Sequence, residues 1–177
     1  SMIYSDGAGA TIIEATDDEG GILAHESATF SFDESKFLYF GNSFSKEEDP
    51  NIRYIKMYGR KIYEFALSNV PKAMASCLEK SGIAITDVKK ILIHQANEKM
   101  DEAIINRFYK LYKMETPQGI MPMSIHKLGN SSVATVPTLY DLIVNGELEG
   151  QNLNKGDVII FASVGAGMNI NAIVYKM

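Results

Sequence analysis

Residues 91–108 read ILIHQANEKMDEAIINRF, and this stretch decides the class of fold. Its first three residues are all apolar, which is typical of a short strand buried on both faces of a sheet. A helical spacing of apolar residues begins at about Glu98 and continues to Lys113. The polar residues HQAN, 94–97, therefore stand where a buried strand passes into a helix. The apolar residues on one side of that helix are Met100, Ile104, Phe108 and Leu111.

Strands and helices alternate from residue 51 to the end of the chain. Strands are predicted at 51–57, 91–93, about 123–128, 158–163 and 169–175, and helices at 60–80, 98–113 and 131–144. Pro71 is expected to bend or divide the first helix, and Gly82 to end it. Alternation of this kind indicates an α/β fold with a largely parallel sheet. The last two strands should be antiparallel, because only the short turn VGAG joins them.

Residues 1–50 do not follow this alternation. Ala10–Ala15 is β-prone, a Gly-Gly pair marks a turn, and a second strand is predicted at 22–32. Residues 33–50 are acidic, aromatic and irregular. The chain reads as though it opens inside a strand, which favours a piece of a longer protein.

The composition excludes several classes of function. The 177 residues are 46% hydrophobic and 22% charged, with a net charge of −5, as in an ordinary soluble domain. No stripe of Lys or Arg indicates nucleic-acid binding, and no apolar run approaches the roughly 18 residues that a membrane span needs. The single cysteine, Cys77, excludes an internal disulfide and fits a reducing compartment. We therefore predict a cytoplasmic protein without a metal site.

Three segments place polar or glycine residues just after predicted strands. They are HQAN at 94–97, HKLGNSS at 126–132 and SVGAG at 163–167. In open α/β sheets the reactive groups gather beyond the carboxyl ends of the strands. A site built from the three segments would contain His94, Asn130 and the backbone near Ala166.

His94 and Asn130 form a chemically useful pair. His94 would lie near a helix N-terminus, where the partial positive charge disfavours an imidazolium, so a neutral ring is expected. A neutral imidazole and a side-chain amide are two uncharged hydrogen-bond donors. Aimed at one carbonyl oxygen, they would stabilise the negative charge that develops when a thioester becomes an enolate.

The motifs HQAN, GNSS followed by Pro137, and GAG between the last two strands resemble one family. They look like the C-terminal half of 3-oxoacyl-(acyl carrier protein) synthase III, a thiolase-fold condensing enzyme. SDGAGA at 5–10 and MYGRKIYEFAL at 57–67 are similar to further segments of that family. The resemblance implies an α/β, thiolase-like fold, with a five-stranded mixed sheet and flanking helices in residues 51–177. Residues 1–50 would then be a β extension, the tail end of the first half.

The resemblance also implies roles at the site. His94 and Asn130 would belong to the family's Cys-His-Asn triad and hold the carbonyl of a malonyl thioester while carbon dioxide leaves. The carbanion would attack an acyl group carried on the cysteine, and the backbone amide of Ala166 would help to form the oxyanion hole. The implied activity is that of an acyltransferase of fatty acid biosynthesis, a decarboxylating Claisen condensation without a bound cofactor.

Four further residues are predicted to contact the substrates or the carrier. Asn97 and Arg60 match positions near the entrance for CoA or pantetheine. Lys99 matches a basic position that meets the acidic acyl carrier protein, and Arg107 falls near the same side of the same helix. The expected partners are acyl carrier protein, CoA thioesters, the missing N-terminal half and, in the full-length protein, a second copy in a homodimer.

Two departures from the family leave alternatives open. No residue matches the nucleophilic cysteine, since Cys77 lies on the apolar side of a predicted helix, and Val164 stands where the family often has phenylalanine. We therefore expect the chain alone to lack the full condensation cycle. The alternatives are a non-catalytic module that binds acyl carrier protein or CoA, and a relative of the family in another acyl-transfer pathway.

Overall fold

The computed structural model describes residues 4–45 and 47–177. Within these ranges the strands are β1 (Gly21–Thr29), β2 (Leu38–Gly41), β3 (Tyr54–Met57), β4 (Val88–Ile93), β5 (Val158–Gly165) and β6 (Asn169–Lys176). The α-helices are α1 (Gly59–Ser81), α2 (Glu98–Leu111), α3 (Ile125–Leu128) and α4 (Thr135–Val144). In the described residues, no helix combines the length and the apolar character that crossing a membrane requires.

Four strands form one mixed sheet in the order β1–β6–β5–β4. Strands β4 and β5 are parallel, with Ile93 beside Ala162, whereas β6 runs antiparallel to both β5 and β1. A three-residue helical turn, Ala166–Met168, joins β5 to β6. The predicted antiparallel pair at the end of the chain is therefore confirmed, together with the mixed sheet.

Helices cover both faces of this sheet. Helices α1 and α2 pack on one face and bury the main core, to which Ile91 and Ile93 contribute. The intervening Leu92 points to the opposite face, where it packs against Leu139 of α4. Because successive strand residues alternate between faces, His94 follows Leu92 on the α4 side of the sheet.

Helix α1 ends where the sequence predicts. Gly82 follows it with a φ of 71°, the left-handed conformation that glycine adopts without a steric penalty. Pro71 lies inside the helix, which continues through it rather than dividing. The apolar side of α1, which includes Phe65, Ala73 and Cys77, is buried against β1, β5 and β6.

The segment 123–128 is not a strand, so the predicted count of five strands in the sheet is wrong. Its last four residues form the short helix α3. The Ser124 N–H, which a strand would offer to a neighbouring strand, donates instead to the side chain of Gln95 at 2.9 Å. Gly129 then ends the helix with a φ of 70°. Local hydrogen bonds thus override a pattern too short to distinguish the two kinds of structure.

Strand β3 is also outside the main sheet. It pairs with β2 in a separate two-stranded sheet, in which Phe40 lies opposite Ile55. The predicted strand at 51–57 therefore exists in part, but in a separate sheet. β2 itself lies in the region 33–50, which the sequence predicts to be irregular.

Strand β1 belongs to the main sheet. It covers the edge of β6, and the Ser27 hydroxyl donates to Asn171 Oδ1 at 2.8 Å. The predicted boundary at residue 51 falls between β1 and the strands with which it forms a sheet, and the division into two parts stays a prediction. By contrast, Ala10–Ala15 is exposed and has no regular structure, although it is β-prone. The assignment of residues 1–50 to another half stays a prediction.

The glycines of SDGAGA let this segment lie against the start of α4. A Cβ on Gly7 would come within 2.8 Å of the Ser131 Cβ, and a Cβ on Gly9 would overlap the ring of Pro137. A larger residue at either position would push the segment away. The motif therefore packs against the part of the chain that carries GNSS.

Candidate active site

A cavity of about 540 Å³ opens beyond the carboxyl ends of β4 and β5. Its wall includes His94, Asn130 and the residues Val164, Gly165 and Ala166. The three segments that the sequence expects to meet therefore border one cavity. The fold brings them together because β4 and β5 are parallel neighbours, so their carboxyl ends lie at the same edge of the sheet.

His94 reaches the cavity because β4 continues its pairing for one more residue. Its backbone N–H donates to the Ala162 carbonyl at 2.9 Å, which fixes it beside β5. Burial lowers the pKa of His94, and the Ser132 carbonyl, which favours the protonated ring, offsets this only in part. The pKa shift agrees with the expected neutral imidazole, although burial is its main cause rather than a helix N-terminus.

Asn130 is only 4% exposed and is held from two directions. Its backbone carbonyl accepts the Ser5 N–H at 3.0 Å, and its side-chain Oδ1 accepts the Ser132 N–H at 2.8 Å. Because the oxygen is occupied, the amide is oriented, and Nδ2 has no hydrogen-bond partner among the described residues. As far as the described residues show, the amide nitrogen is therefore available to donate to a ligand in the cavity.

Ser132 connects these two side chains, and sequence reasoning missed it. Its N–H binds Asn130, and its carbonyl faces the His94 ring. Its φ of 55° lies in the left-handed region. A non-glycine residue adopts this conformation at a cost of about 1–3 kcal/mol, and such strain concentrates at functional sites. Met168, which lines the same cavity, has a φ of 52°.

Gln95 is a second residue that sequence reasoning missed. It is fully buried, its Oε1 accepts the Ser124 N–H at 2.9 Å, and its Nε2 donates to the Pro122 carbonyl at 3.0 Å. These bonds tie the end of β4 to the loop that leads to Asn130. The available signal was a polar residue inside HQAN, directly after a wholly apolar strand, where a buried amide must find partners.

The turn that carries Ala166 lines the cavity beside Val164. Asn169 Nδ2 donates to the Ala166 carbonyl at 2.8 Å, and Gly167 supplies a φ of 74°. This bond holds the turn through its carbonyl. The predicted function of Ala166 uses its N–H, which that bond leaves untouched.

The four residues predicted to bind substrate or carrier lie outside the cavity wall. Asn97 is the N-cap of α2, where its Oδ1 accepts the Met100 N–H at 2.9 Å. Arg60 makes an exposed ion pair with Glu64 on its own helix. Lys99 and Arg107 are both on the exposed side of α2.

Cys77 has none of the features of a nucleophile. Its side chain is buried in the main core, and its thiol donates to the Ala172 carbonyl at 3.4 Å. Burial raises the pKa of the Cys77 thiol, so the reactive thiolate is disfavoured. These observations agree with the interpretation of Cys77 as a core residue.

A family model matches the greater part of the chain. Residues 78–177 match the model described as 3-oxoacyl-(acyl-carrier-protein) synthase III C terminal. The chain belongs to this family. The resemblance drawn from HQAN, GNSS and GAG is thereby confirmed.

Two curated relatives show how much of the whole protein the chain represents. The beta-ketoacyl-(acyl-carrier-protein) synthase III of Oenococcus oeni is 31% identical, and the match covers 99% of this chain and 52% of the relative. The enzyme of the same name from Bacillus pumilus is 30% identical, with 99% of this chain and 50% of the relative covered. The chain spans about half the length of the curated relatives it matches.

Solved structures confirm the α/β, thiolase-like fold. The chain superimposes on the synthase III of Thermus thermophilus with a TM-score of 0.76 at 21% identity, covering 93% of this chain and 49% of that one. For 3-oxoacyl-(acyl-carrier-protein) synthase III from Aquifex aeolicus the TM-score is 0.71 at 24% identity, covering 92% and 46%.

Proposed function

We propose that this chain supplies the decarboxylation site of an enzyme that condenses an acyl thioester with a malonyl thioester in fatty acid biosynthesis. One observation carries the proposal: two uncharged side chains, His94 and Asn130, border one cavity and are joined through Ser132. Family membership supports the same reaction class. Acyl carrier protein and CoA thioesters are the proposed substrates, and a cytoplasmic location and a homodimer of the full-length protein stay predictions.

The proposed reaction begins with decarboxylation. The malonyl thioester oxygen accepts hydrogen bonds from the His94 ring and from Asn130 Nδ2. As the bond to the carboxylate breaks, its electron pair forms the enolate, carbon dioxide leaves, and the two donors stabilise the oxygen that becomes negative. Neither donor carries a charge. A cation at this position would stabilise the substrate carboxylate and so oppose the loss of carbon dioxide.

The second step forms the new carbon–carbon bond. The enolate carbon attacks the carbonyl of an acyl thioester, and the thiolate that carried the acyl group leaves. We propose that this thiolate is a cysteine of the first half, because Cys77 is buried in the core and burial raises the pKa of its thiol. The Ala166 N–H would then face the acyl oxygen, and Asn97 and Arg60 would lie near the CoA entrance.

The test uses the two-half protein, meaning this chain joined to or mixed with the first half. Acetyl-CoA and malonyl-carrier protein should give a 3-oxoacyl product and carbon dioxide in equal amounts. Tight binding of malonyl-CoA with no release of carbon dioxide would instead support the non-catalytic binding module.

The carrier surface gives a separate prediction. Lys99→Glu in the two-half protein should slow association with malonyl-carrier protein by roughly tenfold, because carrier proteins are acidic and complementary charge mainly raises the association rate. Turnover of malonyl-CoA should not change. Arg107→Glu is a less clean variant, since the Arg107 guanidinium also donates to the Leu67 carbonyl at 3.3 Å and links α2 to α1.

Lys72→Glu is the matched control, because Lys72 is exposed but lies on α1 rather than on α2. Surface plasmon resonance gives the association rate, and a coupled assay gives turnover with each substrate. An equal loss with carrier protein and CoA substrates would contradict the assignment of Lys99 to the carrier surface.

A further inference from the structure

Asp101 is a fully buried carboxylic acid five residues after Ala96, which borders the cavity. It lies in the first turn of α2 and is 0% exposed. Neither side-chain oxygen makes a hydrogen bond of normal geometry within the described residues. The other buried residues of α2 are Met100, Ile104, Ile105, Phe108 and Tyr109. A carboxyl group therefore occupies a position that an apolar side chain would fill in an ordinary helix.

Asp101 faces the turn that carries His94. The backbone N–H of Ala96, two residues after His94, lies close enough to the carboxyl group to favour its charged form. Glu98 and Glu102, on the same helix, act in the opposite direction. Within the described residues, no charged side chain of another element shifts the titration of Asp101.

Burial decides which protonation state the folded protein contains. A helix N-terminus stabilises an anion only modestly. Burying an unpaired charge costs more than this stabilisation provides. Desolvation is accordingly the largest effect, and it raises the pKa of Asp101 to about 8. Near neutral pH the group is an uncharged acid, which both accepts and donates one hydrogen bond.

We propose that Asp101 is a positioning residue: as a buried neutral acid beside the Ala96 N–H, it supports the turn that presents His94 to the substrate. The carboxyl oxygen faces the Ala96 N–H, and the acid fills the space beneath HQAN without bringing a charge into the core. Ionisation would draw water towards the carboxylate and displace the turn. The effect on catalysis rests on the proposed function, whereas the effect on stability does not.

The first test is stability as a function of pH. The unfolded chain loses this proton near the ordinary value of 3.8, whereas the folded chain keeps it to about 8. Between these values the folded state binds one more proton, so its stability falls as pH rises. The stabilisation is complete below about pH 4 and is lost by about pH 8. The unfolding equilibrium constant should rise by up to about tenfold per pH unit from this group alone.

Asp101→Asn in the two-half protein should remove that slope. Asparagine has a similar shape and can still accept the Ala96 N–H, but it does not titrate. Urea unfolding should be measured at pH 5, 6, 7 and 8. The stability of the variant relative to the wild type should increase with each step in pH. Asp87→Asn, at an exposed aspartate, is the matched control and should leave the slope unchanged. A constant difference between wild type and Asp101→Asn would overturn the neutral-acid assignment.

The second test separates positioning from simple packing. Leucine at position 101 fills the same space, but it cannot accept a hydrogen bond from the Ala96 N–H. We expect Asp101→Leu to lower kcat by at least tenfold with little change in KM. Asp101→Asn should have a kcat close to that of the wild type. The wild type should lose activity above about pH 8, and Asp101→Asn should retain it there.

The two readouts fail independently. If Asp101→Leu keeps full activity, Asp101 only fills space and the positioning proposal is wrong. If neither the wild type nor any variant condenses substrate, the proposed function fails. The ring signals of His94 in an NMR titration then still report on positioning, since they should shift in Asp101→Leu and not in Asp101→Asn.

Discussion

Replacing His94 with alanine in the two-half protein should lower the condensation rate by about 10²–10³-fold, the usual cost of removing one donor from an oxyanion site. The loss should lie in kcat and should extend to malonyl decarboxylation measured alone, because the donor acts on the enolate that both reactions share. His126→Ala is the matched control, since His126 is exposed on α3. A loss below about tenfold would contradict the assignment of His94.

Asn130→Asp tests the second donor without removing its structural contact. The aspartate keeps an oxygen for the Ser132 N–H, which Asn130 binds at 2.8 Å, but replaces the nitrogen donor with a second oxygen. We expect a loss at least as large as that of His94→Ala, because the new charge repels the developing oxyanion. Asn152→Asp, at an exposed position, should have no effect. Release of labelled carbon dioxide from a labelled malonyl thioester gives the rates of the two His variants and the two Asn variants.

The 177-residue chain on its own should form dimers or larger species at micromolar concentration and should give no condensation product. Apolar side chains are exposed across the β2–β3 sheet and beside α4, with Phe40 71%, Ile55 54% and Val133 90% exposed. Soluble monomers seldom leave large apolar patches uncovered. The apolar side of α1 is not part of this surface, because β1, β5 and β6 already cover it.

Sedimentation velocity checks the association, and a double variant locates it. Phe40→Ser with Ile55→Ser removes an exposed cross-strand pair and should shift the chain towards monomer. Leu111→Ser, at a residue 52% exposed at the end of α2, is the control and should leave the distribution unchanged. A monomeric wild-type chain with full turnover would mean that the nucleophile lies within these residues.

Local patterns predicted the elements on which the site depends. The apolar run before HQAN predicted β4, and the helical spacing after it predicted α2, since both signals lie within one short stretch. Gly82 predicted the end of α1 through its left-handed conformation. The same periodicity assigned Leu111 to the apolar side, yet it is half exposed, because the core ends about one turn before it.

Non-local pairing is what the sequence could not provide. Strand β1 meets β6 across more than 100 residues of chain, and nothing in residues 21–29 specifies that partner. Residues 125–128 form a helix rather than a strand, and the Ser124 N–H before them donates to a buried glutamine, a contact visible only in three dimensions. The sequence does not identify Asp101 as buried for a related reason. A helical pattern marks buried positions by their apolar side chains, and position 101 carries an acid.

A crystal structure of the two-half protein with a stable analogue of a malonyl thioester tests the central claim most directly. The analogue's carbonyl oxygen should lie roughly 2.7–3.2 Å from both a ring nitrogen of His94 and Nδ2 of Asn130. Ser132 should still join the two residues, and the analogue's carboxylate should lie away from any cation. An analogue whose carbonyl binds outside the cavity, or contacts neither side chain, would contradict the two-donor site.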